Sequence, residues 1–278
     1  MTKEKNKDCL GNRMKRYEEQ TTGINLIPNL PVYARIDGRA FHTFCRGLEK
    51  PFDYAMVRVM QNTTKKLIES TNAALGYVQS DEISLGWEDY SKAPFDGRLF
   101  KLQSILASMA TAFFIHSVNK IPLVSRREIL IDKCLKYGPT FDCRVFQLPS
   151  MEELANAFVW RENDAFKNSV SMVAQAHFSH KSLQGKNSSE MQEMYFQKTG
   201  NNFNDLADEL KRGSYFKRVL VTKTLDEETL AKIPENKRPV NNEVIRSEIQ
   251  QLKLPIMKKV VNKVGVYFKN EEPLMKED

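Results

Sequence analysis

Two aspartates at strand-like positions carry the chemistry open to this chain. Asp37 closes the segment Ala34-Arg35-Ile36-Asp37-Gly38-Arg39, and Asp81 sits within Tyr77-Val78-Gln79-Ser80-Asp81-Glu82-Ile83-Ser84-Leu85. A strand holds a carboxylate rigidly, and two carboxylates on adjacent strands can grip two divalent ions about 3.5–4 Å apart, the arrangement that serves in-line phosphoryl transfer. The basic residues Arg35, Lys50, Arg98 and Lys101 suit a triphosphate beside such a pair. Ser80 can give a hydroxyl to a phosphate oxygen, and His42, five residues after Asp37, can stack on or bond a nucleotide. Period-two alternation puts Glu82 on the sheet face opposite Asp81 and ranks it lower as a direct ligand. Spacing alone leaves plainer readings open: Asp37 and Asp81 as turn or cap residues, and Arg98 and Lys101 as a solvated helix end.

The elements needed to position these groups are visible in the pattern. Pro28, Asn29 and Pro31 mark a turn, and residues 32–36 then alternate as a strand, with Arg35 and Asp37 on one face. Gly38 permits a sharp turn and leaves its carbonyl open to a ligand. Residues 54–71 repeat Met56, Met60 and Leu67 at helical spacing, with Asp53 placed as the N-cap. Gly76 breaks that helix, a strand over 77–85 follows, and 86–97 reads as a polar hairpin or loop. Residues 99–118 predict a helix burying Leu102, Ile105, Leu106, Met109, Ala112 and Phe113. Phe141 to Phe146 predicts another strand, Ser150-Met151-Glu152-Glu153 is a capping box opening a helix, and helical segments run over about 152–182. Beyond it the pattern predicts loop around a short helix over 184–200, a basic strand over 217–223 and a helix over 241–252; 10–19 reads as a short surface helix. The order strand–helix–strand–helix–strand predicts an α+β fold with helices on one face of a largely antiparallel sheet. The expected division is a catalytic core over 1–150 and a C-terminal helical or irregular extension over 151–278.

Bulk properties narrow the setting. The 278 residues are 41% hydrophobic and 28% charged, ordinary for a globular chain. A net charge of +7 favours an anionic partner such as RNA, DNA or nucleotides, though surplus lysine also serves solubility. Cys9, Cys45, Cys134 and Cys143 form no CxxC pair, and so few cysteines make a reducing cytoplasm the expected location. The polar first residues lack the apolar core of a secretory signal, and no apolar stretch of the ~20 residues needed to span a bilayer is expected. Neither GxxxxGK[ST] nor GxGxxG occurs. His177 and His180 form HxxH without a third ligand and read as structural. Lys211-Arg212 and Lys217-Arg218 flank Tyr215 and Phe216, a composition that suits RNA or a plain strand edge.

Together the blocks Arg35-Ile36-Asp37-Gly38-Arg39-Ala40-Phe41-His42, Lys50-Pro51-Phe52-Asp53 and Gln79-Ser80-Asp81-Glu82 resemble the tRNA-His guanylyltransferase superfamily. The resemblance continues through Arg98-x-x-Lys101-x-x-Ser104-x-x-Ala107-Ser108, Phe141-Asp142-Cys143-Arg144 and Trp160-Arg161-Glu162-Asn163-Asp164. It implies a polymerase palm-like, ferredoxin-like βαββαβ core and 3′-to-5′ addition of nucleotides to an RNA 5′ end. It implies two Mg2+ held by Asp37, the Gly38 carbonyl and Asp81, with Asp37, Asp81 and Glu82 as the catalytic set. ATP and GTP or other NTPs would be substrates, contacted by Arg35, Gly38, Arg39, Phe41, His42, Lys50, Asp53, Ser80, Arg98 and Lys101. The implied partner is tRNA, with Arg161, Asp164, Asn168, Lys211 and Arg212 as RNA contacts, and the implied assembly is a homotetramer.

One block departs from the tRNA-His enzymes. Where those carry His-Ile-Asn-Asn-Leu-Tyr-Asn, this chain has Phe166-Lys167-Asn168-Ser169-Val170-Ser171-Met172. It is closer to the guanylyltransferase-like branch, which the resemblance associates with template-dependent repair of truncated tRNA 5′ ends. The rival readings are a true tRNA-His guanylyltransferase and a catalytically silent RNA-binding protein that kept the palm.

Overall fold

The computed structural model describes residues 9–89, 94–122 and 124–276. In chain order it forms α1 (Cys9–Thr22), β1 (Val32–Gly38), α2 (Phe41–Phe44), α3 (Tyr54–Thr71), β2 (Leu75–Gln79), β3 (Glu82–Trp87), α4 (Leu99–Asn119), α5 (Val124–Tyr137) and β4 (Phe141–Gln147). The chain continues through α6 (Met151–His177), α7 (His180–Leu183), α8 (Ser188–Thr199), α9 (Asp208–Lys211), β5 (Ser214–Thr224), α10 (Glu227–Ala231), β6 (Glu243–Leu252) and α11 (Lys263–Lys269). Six strands make one sheet in the order β4-β1-β3-β2-β5-β6, every neighbouring pair antiparallel. Its first four strands have the 4-1-3-2 order of a βαββαβ unit, as the palm-like reading requires.

Strand alternation divides the core. Val32, Ala34, Ile36, Ile83, Leu85 and Trp87 pack on one face beneath α3 and α4. α3 begins where the Asp53 carboxylate accepts the Met56 N–H at 3.1 Å, and it buries Met56, Met60 and Leu67 as their spacing predicts. On α4 the stripe is Leu102, Leu106, Ala110, Phe114 and Val118; Ala112, expected inside, is exposed. The other sheet face carries Tyr33, Leu75, Tyr77 and Tyr215 against Leu154, Ala155 and Phe158 of α6 and Tyr267 of α11. Gly86 allows this approach, since a Cβ there would meet the Phe158 ring at 2.9 Å. The C-terminal part thus both covers the palm and extends its sheet through β5 and β6.

Several expectations are corrected. The single strand over 77–85 is a hairpin, β2 and β3, turning at Ser80-Asp81 with Ser80 at φ 52°. The helix expected over 241–252 is β6, paired with β5 from Thr224↔Glu243 to Tyr215↔Leu252; a long partner strand outweighs its ambiguous apolar spacing. The loop expected over 86–97 begins inside β3, and residues 90–93 lie outside the described ones. Where loop dominated the reading of 184–200, α8 spans twelve residues behind a capping box of Asn187 and Glu190. The helical segments over about 152–182 are present as expected, as α6 to His177 and then α7. α5 was not anticipated. α4, contrary to expectation, is long and apolar enough to cross a membrane, yet one face of it is buried against the sheet.

Candidate active site

Asp37 ends β1 and Asp81 occupies the β2–β3 turn, and the backbone fixes them beside each other. The Gly38 N–H donates to the Asp81 carbonyl at 3.1 Å. Gly38 has no room for a side chain: a Cβ would stand 2.5 Å from the Phe41 ring. Phe41 is buried with Phe44, Phe114 and Phe141, so an aromatic floor supports the turn after Asp37. Burial, then the neighbouring Asp142, push the Asp37 carboxyl above its ordinary 3.8. Burial, then Asp37, push Asp81 up from the same value, against the opposing Ser80 hydroxyl at 3.1 Å. Each of the two carboxylates feels like charge, which Arg35, Arg144 and Arg161 at Asp37 and His42 at Asp81 only partly offset.

Asp81 separates two cavities of about 340 Å3 each. The first is lined by Asp37, Glu82 and the α6 residues Arg161, Asn168, Ser171, Met172 and Gln175. The second is lined by His42, Arg46, Glu49, Lys50, Asp53 and Leu210. Gln79, Ser80, Asp81 and Met172 border both. Among the described residues no three His, Cys, Asp or Glu side chains form a metal cage. The donor set instead suits Mg2+, which is bound through one or two carboxylates, water and substrate phosphates rather than by an all-protein cage. Two adjoining chambers that share a carboxylate can hold two anionic ligands with their reacting ends together.

Comparison with known proteins identifies the family. Residues 11–149 match the family described as Thg1, tRNAHis guanylyltransferase. A bacterial tRNA(His) guanylyltransferase (Thg1)-like protein, solved in complex with ATP, is 35% identical with TM-score 0.73, covering 93% of this chain and 98% of that one. The same description with GTP applies to a structure 34% identical with TM-score 0.66, covering 91% and 95%. This chain belongs to the tRNA(His) guanylyltransferase family. It is accordingly a nucleotidyltransferase. The tRNA(His) guanylyltransferase of Debaryomyces hansenii is 27% identical over 266 residues, 91% of this chain and 94% of that protein.

The family's motif residues are not all gathered at the two cavities. Glu82 faces Asp37 across the β1–β3 ladder and shares its sheet face. Both its oxygens are taken by Arg161, at 2.5 and 2.8 Å, and the third Arg161 nitrogen reaches Asp164 at 2.8 Å. Arg35 lies 4.0 Å from Glu82 and its guanidinium carbon 5.5 Å from the Trp160 ring centre. These contacts brace the face on which Asp37 stands. Arg98 and Lys101, at the start of α4, are exposed and line neither cavity; the Lys101 ammonium lies over the Phe95 ring. Arg39 lines a separate recess of about 230 Å3 with Tyr137 and Thr140. The Phe41 ring is core rather than an open nucleotide contact, because three other phenylalanines enclose it.

The basic patch around 211–218 is largely consumed internally. Arg212 binds Asp208 at 3.0 Å and buried Glu162 at 3.2 Å, and Glu162 also accepts from the Tyr215 hydroxyl at 2.9 Å. Lys211 donates to the Asn204 carbonyl at 2.5 Å. Tyr215 and Phe216 are buried on opposite faces of the sheet and offer no stacking surface. Arg218 donates to the Ile68 and Glu69 carbonyls near the end of α3. His177 packs on Tyr195, the structural role expected of it.

Sequence reasoning missed Ser171, Met172 and Gln175, although a signal was present. Asn168, Ser171, Met172 and Gln175 fall at i, i+3, i+4 and i+7, one face of α6, in line with Arg161 and Asp164. The block that departs from the tRNA-His enzymes therefore lines the cavity containing Asp37.

Proposed function

We propose that this protein is a 3′-to-5′ nucleotidyltransferase that restores truncated tRNA 5′ ends under the direction of the opposite strand. The observation that carries the reading is the Asp37–Asp81 pair set between two nucleotide-sized cavities. Asp37, the Gly38 carbonyl and Asp81 are the groups that would hold Mg2+. When bound, two such ions activate an attacking hydroxyl and neutralise charge at a leaving phosphate.

The chain's own residues supply the rest. Lys50 and His42 line the second cavity and offer donors to a polyphosphate. Ser80, in its left-handed turn conformation, borders both chambers, and its hydroxyl donates to the Asp81 carboxylate at 3.1 Å. Arg161 holds Glu82 so that the Asp37 face stays fixed. In the first step a tRNA 5′-phosphate oxygen attacks the α-phosphate of ATP and pyrophosphate leaves, giving a 5′-adenylylated tRNA. The 3′-hydroxyl of the incoming nucleotide then attacks that tRNA phosphate and AMP departs. Removal of pyrophosphate from the added nucleotide restores a 5′-monophosphate.

Repair is favoured over dedicated tRNA-His modification by the α6 block. Ser171 and Met172 line the Asp37 cavity where the tRNA-His enzymes carry other residues, and Asn168 alone is shared with their block. Identity is also higher to the bacterial Thg1-like structure, 35%, than to the Debaryomyces enzyme, 27%. A homotetramer gripping tRNA is the assembly that goes with this reading. The test pairs a 5′-monophosphorylated tRNA lacking its first nucleotide with full-length tRNA-His, in ATP, NTPs and Mg2+. Extension of the truncated tRNA to a stop at the completed acceptor stem is expected. Growth of tRNA-His alone by one G would replace repair by tRNA-His modification, and extension of neither would refute the reading.

A further inference from the structure

We propose that α5 is a positioning element for the nucleotide, in which Arg126 and Lys133 hold the 45–53 loop in the shape that offers Lys50 to a polyphosphate. The inference rests on the functional reading above. The loop forms half of the wall of the second cavity, from Cys45 to Asp53, and Asp81 also lines it. It carries no helix or strand of its own, so its shape depends on outside contacts.

α5 supplies two of them, seven residues apart on one side of the helix. The buried Lys133 ammonium donates to the Arg46 carbonyl at 2.6 Å. Arg126 forms an ion pair with Glu49 and stands 3.8 Å from the Asp53 carboxylate. Asp53 in turn accepts the Glu49 N–H at 3.2 Å and caps α3 through Met56, tying the loop's end to the core. A backbone carbonyl near one end of the loop and two carboxylates near the other are thus clamped from one helix.

The clamp also has an electrostatic consequence. Glu49, Asp53 and Asp81 all line the chamber proposed to take a polyphosphate. Without a counter-charge, Glu49 and Asp53 would repel that anion and compete for the Lys50 ammonium. Arg126 neutralises both from behind the loop and leaves Lys50 for the ligand. Neither Arg126 nor Lys133 touches the Asp37 cavity, so the expected effect falls on nucleotide binding and not on the chemical step.

The experiment compares wild type with Arg126→Gln and Lys133→Met, with Arg126→Lys as the conservative rescue and Lys136→Ala as a control on the same helix. Direct binding of Mg·ATP and Mg·GTP is measured alongside steady-state extension of truncated tRNA. Arg126→Gln and Lys133→Met should each raise a nucleotide KM and Kd about tenfold while kcat stays within about twofold. Arg126→Lys should recover most of the loss, and Lys136→Ala should match wild type. Unchanged nucleotide Kd, with kcat falling in step with the folded fraction, would overturn the proposal. If Lys133→Met does not fold, the partly exposed Arg126 decides alone. Wild type that binds Mg·ATP yet extends no tRNA would sink the repair reading, while the binding arm still judges the clamp.

Discussion

Asp37→Asn should stabilise the fold while abolishing the reaction. Asparagine keeps the shape and one acceptor oxygen of aspartate but removes its charge. The Asp37 carboxyl is raised from 3.8 by burial first and Asp142 second, and Asp81 by burial first and Asp37 second. Both folded-state pKa values therefore lie above those of the unfolded chain. In that window the native state binds more protons, so stability is gained as pH falls through the folded pKa and is lost as pH rises past it. At neutral pH the fold bears this penalty in full. Removing one charge relieves Asp37 of its own burial and Asp81 of its nearest like charge. Relief of this kind at a strained functional site is worth about 1 kcal/mol, which raises Tm by about 2–4 °C in a chain of this size. Nucleotide addition should fall by about a hundredfold or more. The assay is thermal unfolding of wild type and variant with and without excess Mg2+, beside extension of truncated tRNA. Mg2+ should raise the wild-type Tm by binding the native state, and the variant should lose most of that response. A lower Tm for Asp37→Asn, or an undiminished Mg2+ response, would refute the reasoning, because it would make Asp37 a structural acceptor.

The same pair fixes a pH dependence: at limiting Mg2+, the acid limb of activity should lie above pH 3.8 and move toward lower pH in saturating Mg2+, and a limb indifferent to Mg2+ would contradict it. Arg161→Met leaves Glu82, 16% exposed, without its bidentate partner, and urea unfolding should show a loss of about 3 kcal/mol or more. Adding Glu82→Gln should restore part of that loss, and additive losses would deny the coupling. Gly38→Ala drives a Cβ to 2.5 Å from the Phe41 ring, so overpacking should cost about 1–3 kcal/mol. Phe41→Leu in the same chain should return stability more than activity, because it relieves the clash while altering the floor under Asp37.

What could be read from the residues was local. The period of two in β1, the period near 3.6 in α3 and the Asp53 cap each depend on neighbours in sequence, and the α+β order follows from them, while the palm-like arrangement came from the family resemblance. The Ser80-Asp81 turn was not legible because it carries no Asn-Gly or Gly signal, and serine rarely adopts φ 52°. Running one strand through that turn put Glu82 on the wrong face and hid its position opposite Asp37. β6 was misread because Val244, Ile245, Ile249 and Leu252 fit a helix about as well as a strand until β5 supplies a partner.

Charge was the least legible property, because a basic residue in a sequence has no partner until the chain folds. Arg161 suited RNA by resemblance and Arg212 by composition, yet they lie 79 and 50 residues from the carboxylates they bind, Glu82 and Glu162. Arg126 and Lys133 drew no attention in sequence, yet they reach across 77 and 87 residues to Glu49 and the Arg46 carbonyl. The net charge of +7 is therefore a poor map of where an anion binds. Several cations are committed to holding acidic groups and backbone carbonyls in place. The two carboxylates that most need a counter-charge, Asp37 and Asp81, are held where a ligand's metal ions would supply it. Arg35, Arg144 and Arg161 offset only part of the like charge at Asp37, so the pair keeps an affinity for cations that the proposed Mg2+ would satisfy.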